Sequence, residues 1–244
     1  MRAALWMSTL TALPAIAGAQ APAANVSSLA GEHAFGVWAG ASLSTAAVFG
    51  TITDRRLLLT GVRYEYVLKS DGAVTTAYTL DLHPLAVVTN TPEYAWQRVR
   101  LRNGAVGTQL VETGRSSVAG AGISPIGLQF YTLPVGFARF FAGGSAGGIW
   151  FAREMPVAYA RRFNFALQAG AGAELVSRGG HVLVIGYKFH HLSNAGTAPA
   201  NPGLDGHVFY LGAMRRRRGW RERALAGKNG RDDERKSEST DKRG

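Results

Sequence analysis

The sequence predicts an all-β protein, an eight-stranded antiparallel transmembrane β-barrel of the outer-membrane type. Three observations carry this. Apolar and polar residues alternate with period two through eight segments, as they do where one face of a strand meets lipid and the other a lumen. The joins between those segments alternate short and long, as tight periplasmic turns and longer external loops do. The 31 glycines and 46% hydrophobic residues include no stretch of 18 uncharged apolar residues, which excludes a membrane protein built of helices.

From the N-terminus, Met1 and Arg2 give a short basic start and Ala3 to Ala17 is mostly apolar. Ala17-Gly18-Ala19 then has the small-x-small form of a signal-peptidase site. The expectation is an exported chain with a cleaved signal peptide over 1–19 and a periplasmic segment over 20–34. The absence of cysteine is compatible with export, since no disulfide is required.

Strands are expected near 35–48, 56–68, 73–83, 120–131, 136–151, 162–176, 181–192 and 206–214, so the barrel spans 35–214. The second, fourth and sixth joins are short: Lys69-Ser70-Asp71-Gly72, Thr132-Leu133-Pro134-Val135 and Ser177-Arg178-Gly179-Gly180. The first, third, fifth and seventh are longer, and the third runs about 35 residues.

The faces separate cleanly. Val62, Tyr64, Tyr66 and Leu68 share one side with Val74, Tyr78, Leu80 and Leu82; Arg63, Glu65, Thr75, Thr79, Asp81 and His83 take the other. In the sixth strand Phe163, Phe165, Leu167, Ala169 and Leu175 oppose Asn164, Gln168 and Glu174. A soluble lipocalin-type barrel would turn its apolar face inward. Here Arg63, Glu65, Asp81 and Glu174 are expected to pack as an inward polar network, leaving the apolar side to lipid. Trp38, Tyr131 and Trp150 fall near strand ends, where an interfacial girdle would lie. From Arg215 to Gly244 there are 12 Lys/Arg against 6 Asp/Glu, so the tail holds +6 of the net +11. It is too polar to bury a core and is expected to be a disordered basic extension over 215–244, with no nucleic-acid partner.

The seventh strand carries the candidate chemistry. Leu183, Ile185, Tyr187 and Phe189 form its lipid-facing set, and the same parity places His191 and Ser193 outward, with Lys188 and His190 in the lumen. Residues two apart on one strand face are about 7 Å apart, a gap an imidazole can cover. Serine is a weak nucleophile until an adjacent base takes its proton, and that base needs an orienting acid. The loop that follows turns through Asn201-Pro202-Gly203 and delivers Asp205 beside His191. Asn194 and the backbone amide of Gly196 are placed to donate to an oxyanion. His33, His83, His181 and His207 are scattered without metal-ligand spacing, so no metal and no cofactor is expected.

The string His191-x-Ser193-Asn194-Ala195-Gly196, followed by Asn201-Pro202-Gly203-x-Asp205, resembles the PagL family of lipid A 3-O-deacylases. Ser124-Pro125-Ile126-Gly127-Leu128 looks like the family's fourth-strand segment. The resemblance implies Ser193 as nucleophile, His191 as general base, Asp205 as orienting acid, and Asn194 with Gly196 as oxyanion hole. The family's acid is glutamate; Asp205 is one methylene shorter. The implied reaction removes a 3-O-linked 3-hydroxyacyl chain from lipid A. The implied partner is the lipid A or lipopolysaccharide of the outer leaflet of a Gram-negative outer membrane, and a homodimer is compatible with it. Two alternatives are an outer-membrane phospholipase and a non-catalytic structural or adhesive barrel. The phospholipase uses a similar His-x-Ser-Asn-Gly string but about twelve strands and calcium, and Ala195 before Gly196 departs from its motif.

Overall fold

A computed structural model describes residues 30–42, 45–71, 73–177 and 180–217. The expected leader over 1–19, most of the segment before the barrel and the tail from 218 onward lie outside the described residues. Among the described residues there are nine strands: β1 (His33–Ala41), β2 (Thr45–Ala46), β3 (Leu57–Asp71), β4 (Val74–Arg100), β5 (Val106–Thr132), β6 (Ala138–Met155), β7 (Arg161–Val176), β8 (His181–Ser193) and β9 (Leu204–Arg217). Eight of them run antiparallel in sequence order, and β1 pairs with both β3 and β9, closing the sheet on itself. Closure gives each strand of the barrel wall a partner on both edges, the condition for crossing a bilayer with strands. The fold is an eight-stranded outer-membrane-type barrel. The two-residue β2 lies along the start of β9. The joins after β3, β5 and β7 are short and lie at the end that holds both barrel termini, the periplasmic end by the usual convention.

The alternation sets the two faces as expected. Phe35, Val37, Val62, Leu82, Ile123, Phe165, Leu183 and Leu211 are exposed outward, while Arg63, Glu65, Asp81, Gln168, Glu174, Lys188 and His190 are buried inside. The carboxylates and arginines of that interior are paired, and Lys188 lies over the Trp38 and Tyr210 rings, 3.7 and 4.7 Å from their centroids. Arg63 holds Asp81 with two bonds of 2.9 and 2.7 Å, and Trp38 Nε1 donates to the same carboxylate at 3.0 Å. Nearer the periplasmic end, Arg139 and Arg216 donate to Glu174 at 2.7 and 2.8 Å, and Tyr131 donates to Glu65 and Glu174. At the external end the filling turns apolar, with Leu57, Leu59, Val88, Val118, Ile149, Phe151, Leu192 and Leu204 fully or nearly fully buried together.

Three expectations change. Trp38 and Tyr131 are not girdle residues: both face the lumen and are buried, because their ring N–H and O–H find carboxylates there; only Trp150 points outward. Gly61 makes room for Trp38, since a Cβ at that position would come within 2.2 Å of the indole. The long third connection is not a loop. β4 and β5 continue outward as a β-hairpin, and only residues 101–105 join them. Pro84 and Pro92 argue against a continuous strand, but a bulge between His83 and Ala86 takes up Pro84, and Pro92 lies past the last pair that β4 makes with β3, where one edge of the strand has no ladder to break. Finally, Arg215, Arg216 and Arg217, expected in the tail, belong to β9, and Arg216 bridges Glu65 and Glu174 in the lumen.

Candidate active site

The outward parity of β8 carries through to its external end. Leu183 and Ile185 are exposed, His191 and Ser193 continue that face half-buried, and His190 is fully buried inside. His191 pairs across the sheet with Asp205, and Ser193 with Phe165 of β7. The cross-strand pairing brings acid and imidazole together directly. His191 Nδ1 lies 2.5 Å from Asp205 Oδ1. Contact at Nδ1 leaves Nε2 for proton exchange, the division of labour that a general base requires.

Asp205 is fully buried, and its burial has a visible cause. The first external connection folds back over it: Ala46 pairs with Asp205, Ile52 bridges Leu204, and the Thr51 amide donates to the Pro202 carbonyl at 2.7 Å. Three successive amides, of Val48, Phe49 and Gly50, then donate to Asp205 Oδ2 at 2.9, 2.6 and 2.8 Å. A cradle of consecutive N–H groups stabilises the ionised carboxylate as a charge would. The shorter acid thus reaches His191 while its other oxygen is held in place. Gly50 and Gly203 make the close approach. Gly203 has φ of +64°, and a Cβ there would sit 3.0 Å from Gly50 Cα and 3.2 Å from His191 Cε1.

Ser193 Oγ donates to Asn201 Oδ1 at 3.0 Å and accepts from the Ala195 amide at 3.0 Å. Among the described residues no hydrogen bond links it to His191. Asn201 Oδ1 also accepts from the Asn194 amide at 3.0 Å. Asn194 is buried, and its side-chain amide donates to the Ala200 carbonyl at 2.8 Å. Ala195 and Gly196 both have positive φ, 54° and 73°, so the chain turns sharply beneath the serine. Ser193, His191, Asp205, Asn194, Gly196, Asn201, Pro202 and Gly203 therefore form one contiguous patch. Val48, Phe49 and Gly50 were not legible beforehand. They lie at least 155 residues from Asp205, and no spacing pattern links them to it. Phe49 adds more than its amide: its ring is 74% exposed and packs edge-on against His191 (5.7 Å) and Phe189 (5.8 Å).

A hydroxyl, an imidazole and a buried carboxylate on one lipid-facing patch form the set used in nucleophilic acyl transfer. The family model described as lipid A 3-O-deacylase (PagL) matches residues 76–213, more than half the chain. The chain belongs to the lipid A 3-O-deacylase (PagL) family. The matched span contains all eight patch residues and excludes the cradle at Val48, Phe49 and Gly50. Among solved structures, the outer membrane enzyme PagL is similar with a TM-score of 0.51 at 11% identity, over 73% of this chain and 97% of that one. Ail, the attachment invasion locus protein of Yersinia pestis, has a TM-score of 0.41 at 12% identity, over 77% of this chain and 99% of its own. No curated protein sequence matches the chain.

Proposed function

We propose that the chain is an outer-membrane serine esterase that removes a 3-O-linked 3-hydroxyacyl chain from lipid A. The observation that carries this is the His191–Asp205 contact beside Ser193, outward at the external end of β8. Lipid A occupies the outer leaflet, so an acyl ester reaches that patch sideways from the membrane without entering the lumen. The chain reaches this membrane by export through the leader at 1–19.

Ser193 first exchanges Asn201 for His191, a side-chain rotation of the kind that often precedes catalysis in ligand-free sites. His191 Nε2 takes the hydroxyl proton as Oγ attacks the ester carbonyl. The oxyanion that forms is stabilised by the Gly196 amide and by Asn194, which also fixes the turn by its bonds to Asn201 and Ala200. Collapse breaks the bond to the sugar 3-oxygen, which leaves with the proton from His191. Water, deprotonated by the same imidazole, then attacks the acyl-serine and releases the 3-hydroxy acid. Asp205 stabilises the imidazolium in each half-reaction without itself being protonated.

Mass spectrometry of lipid A from cells expressing the wild-type chain or Ser193→Ala tests this. Loss of one 3-hydroxyacyl chain with the former only is expected. Unchanged lipid A in both would leave a structural barrel. Release of fatty acid from phospholipid by the purified protein, abolished by a chelator, would favour a phospholipase.

A further inference from the structure

The outward continuation of β4 and β5 has no part in the patch described above, yet it builds a cleft beside it. Residues 91–100 and 106–116 pair only with each other, past the last pairs that β4 and β5 make with β3 and β6. Between this hairpin, the end of β6 and the turn at 156–160 lies a cleft of about 590 Å³, within the range of small-ligand sites. It touches the active-site loop through its wall. The Ala200 amide donates to the Tyr159 carbonyl at 3.3 Å, and Arg161 donates to the Thr197 carbonyl at 3.0 and 2.8 Å.

The lining has a recognisable chemistry. Trp96, Tyr94 and Tyr159 are 65, 38 and 53% exposed, and all three face the cleft. These rings lie beyond the strand pairs of the barrel wall, so contact with lipid does not account for them. Tyr159 is held at φ of +64°, a costly conformation for an aromatic residue. Glu93 and Arg153 are locked to each other and to Ser116 at 3.1, 2.8 and 2.5 Å. The Ser116 hydroxyl and Arg153 hold the Glu93 carboxyl below its ordinary range, so it is ionised at neutral pH. Glu154 accepts from the Tyr159 amide at 2.9 Å, while Arg162 makes no side-chain ion pair or hydrogen bond among the described residues. Two acids offset two bases, so the cleft has no net attraction for a polyanion. Flat aromatic faces beside fixed donors and acceptors suit a hydroxylated ring, and an unpaired arginine suits an acidic substituent on it.

We infer that this cleft binds the saccharide that extends from the head of the lipid substrate, and so holds the glycolipid while its acyl ester lies at Ser193. The inference rests on the lipid A reading for the identity of the glycolipid, but not for the sugar binding itself. The full chain in detergent, carrying Ser193→Ala to prevent turnover, is titrated with lipid-free core oligosaccharide prepared from lipopolysaccharide. Saturable binding is expected. Trp96→Ala should weaken it about tenfold, and Tyr94→Ala or Arg162→Ala should weaken it severalfold. With Ser193 restored, Trp96→Ala should lower the kcat/KM ratio of complete lipopolysaccharide over sugar-free lipid A by a similar factor. Failure of the folded parent protein to bind the oligosaccharide overturns the inference, as does equal binding by the Trp96 and Arg162 variants. Sugar binding by a chain that leaves lipid A intact would instead retain the cleft and remove the deacylase reading.

Discussion

Asp205 works at the end of a short tether, and the surrounding backbone has closed in to match. Its Oδ1 meets His191 at 2.5 Å while Oδ2 takes three amide donors from Val48, Phe49 and Gly50. An added methylene would have to displace either the cradle or the imidazole. Asp205→Glu, although it restores the acid that the family uses, is therefore expected to lower kcat, by about tenfold to a hundredfold, as misplacement of a catalytic group does. Asp205→Asn keeps the size but supplies no charge for the imidazolium and admits the wrong His191 tautomer, so kcat should fall by about 10³ to 10⁴. Steady-state deacylation by the two variants checks the order. If Glu were to equal or exceed Asp, the cradle would not be what positions His191. At this scale the sequence was a partial guide. Period two placed His191 and Ser193 outward, because side-chain direction along a strand is a local property. The amide cradle depends on where a distant connection folds back, and Phe49 next to Gly50 carries no mark of it. Asn201, read as a loop former, accepts from both the Ser193 hydroxyl and the Asn194 amide, contacts that depend on how the loop closes rather than on its composition.

Among the elements, β4 and β5 depart furthest from what alternation predicts. Each runs to 27 residues where about a dozen cross the membrane. Proline removes a ladder donor, and the bulge that absorbs Pro84 has no period of its own. The strands that keep regular alternation, β7 and β8, were legible almost to their ends. The outward hairpin pairs only with itself and meets the rest of the protein through exposed ion pairs such as Arg115 with Asp54 and Arg153 with Glu93. Such pairs contribute about 0–1 kcal/mol each. Replacing residues 92–115 by Asn-Gly, between the paired Thr91 and Ser116, should therefore leave the barrel folded. The shortened chain should keep the heat-dependent gel migration of a folded barrel and unfold in urea within about 2 kcal/mol of the parent. It should also lose binding of core oligosaccharide. Failure to fold would mean that the hairpin nucleates closure rather than standing on a completed barrel.

For the barrel as a whole, stability depends on an interior that is charged yet almost entirely paired. Glu174 is the node of its periplasmic layer. It accepts from Arg139 at 2.7 Å, from Arg216 at 2.8 Å and from Tyr131 at 3.0 Å, and it is fully buried. The strand alternation forecast that Glu174 would face inward, but not its partners, because which side chains meet across a lumen depends on strand tilt and stagger. Arg216 also has Glu65, whereas Arg139 pairs with Glu174 alone among the described residues. Removing one member of a buried pair leaves the other charge uncompensated, at a cost of about 3–5 kcal/mol. Glu174→Gln should therefore lower the unfolding free energy of the barrel in urea by about that amount. Raised salt should not restore it, because ions screen buried charge poorly. Pairing the change with its partner separates lost attraction from stranded charge. In Arg139→Met with Glu174→Gln, no arginine is left without an acid, since Arg216 retains Glu65. The double variant should then recover most of the loss, and a loss equal to the sum of the two single variants would show that the layer acts through packing rather than charge.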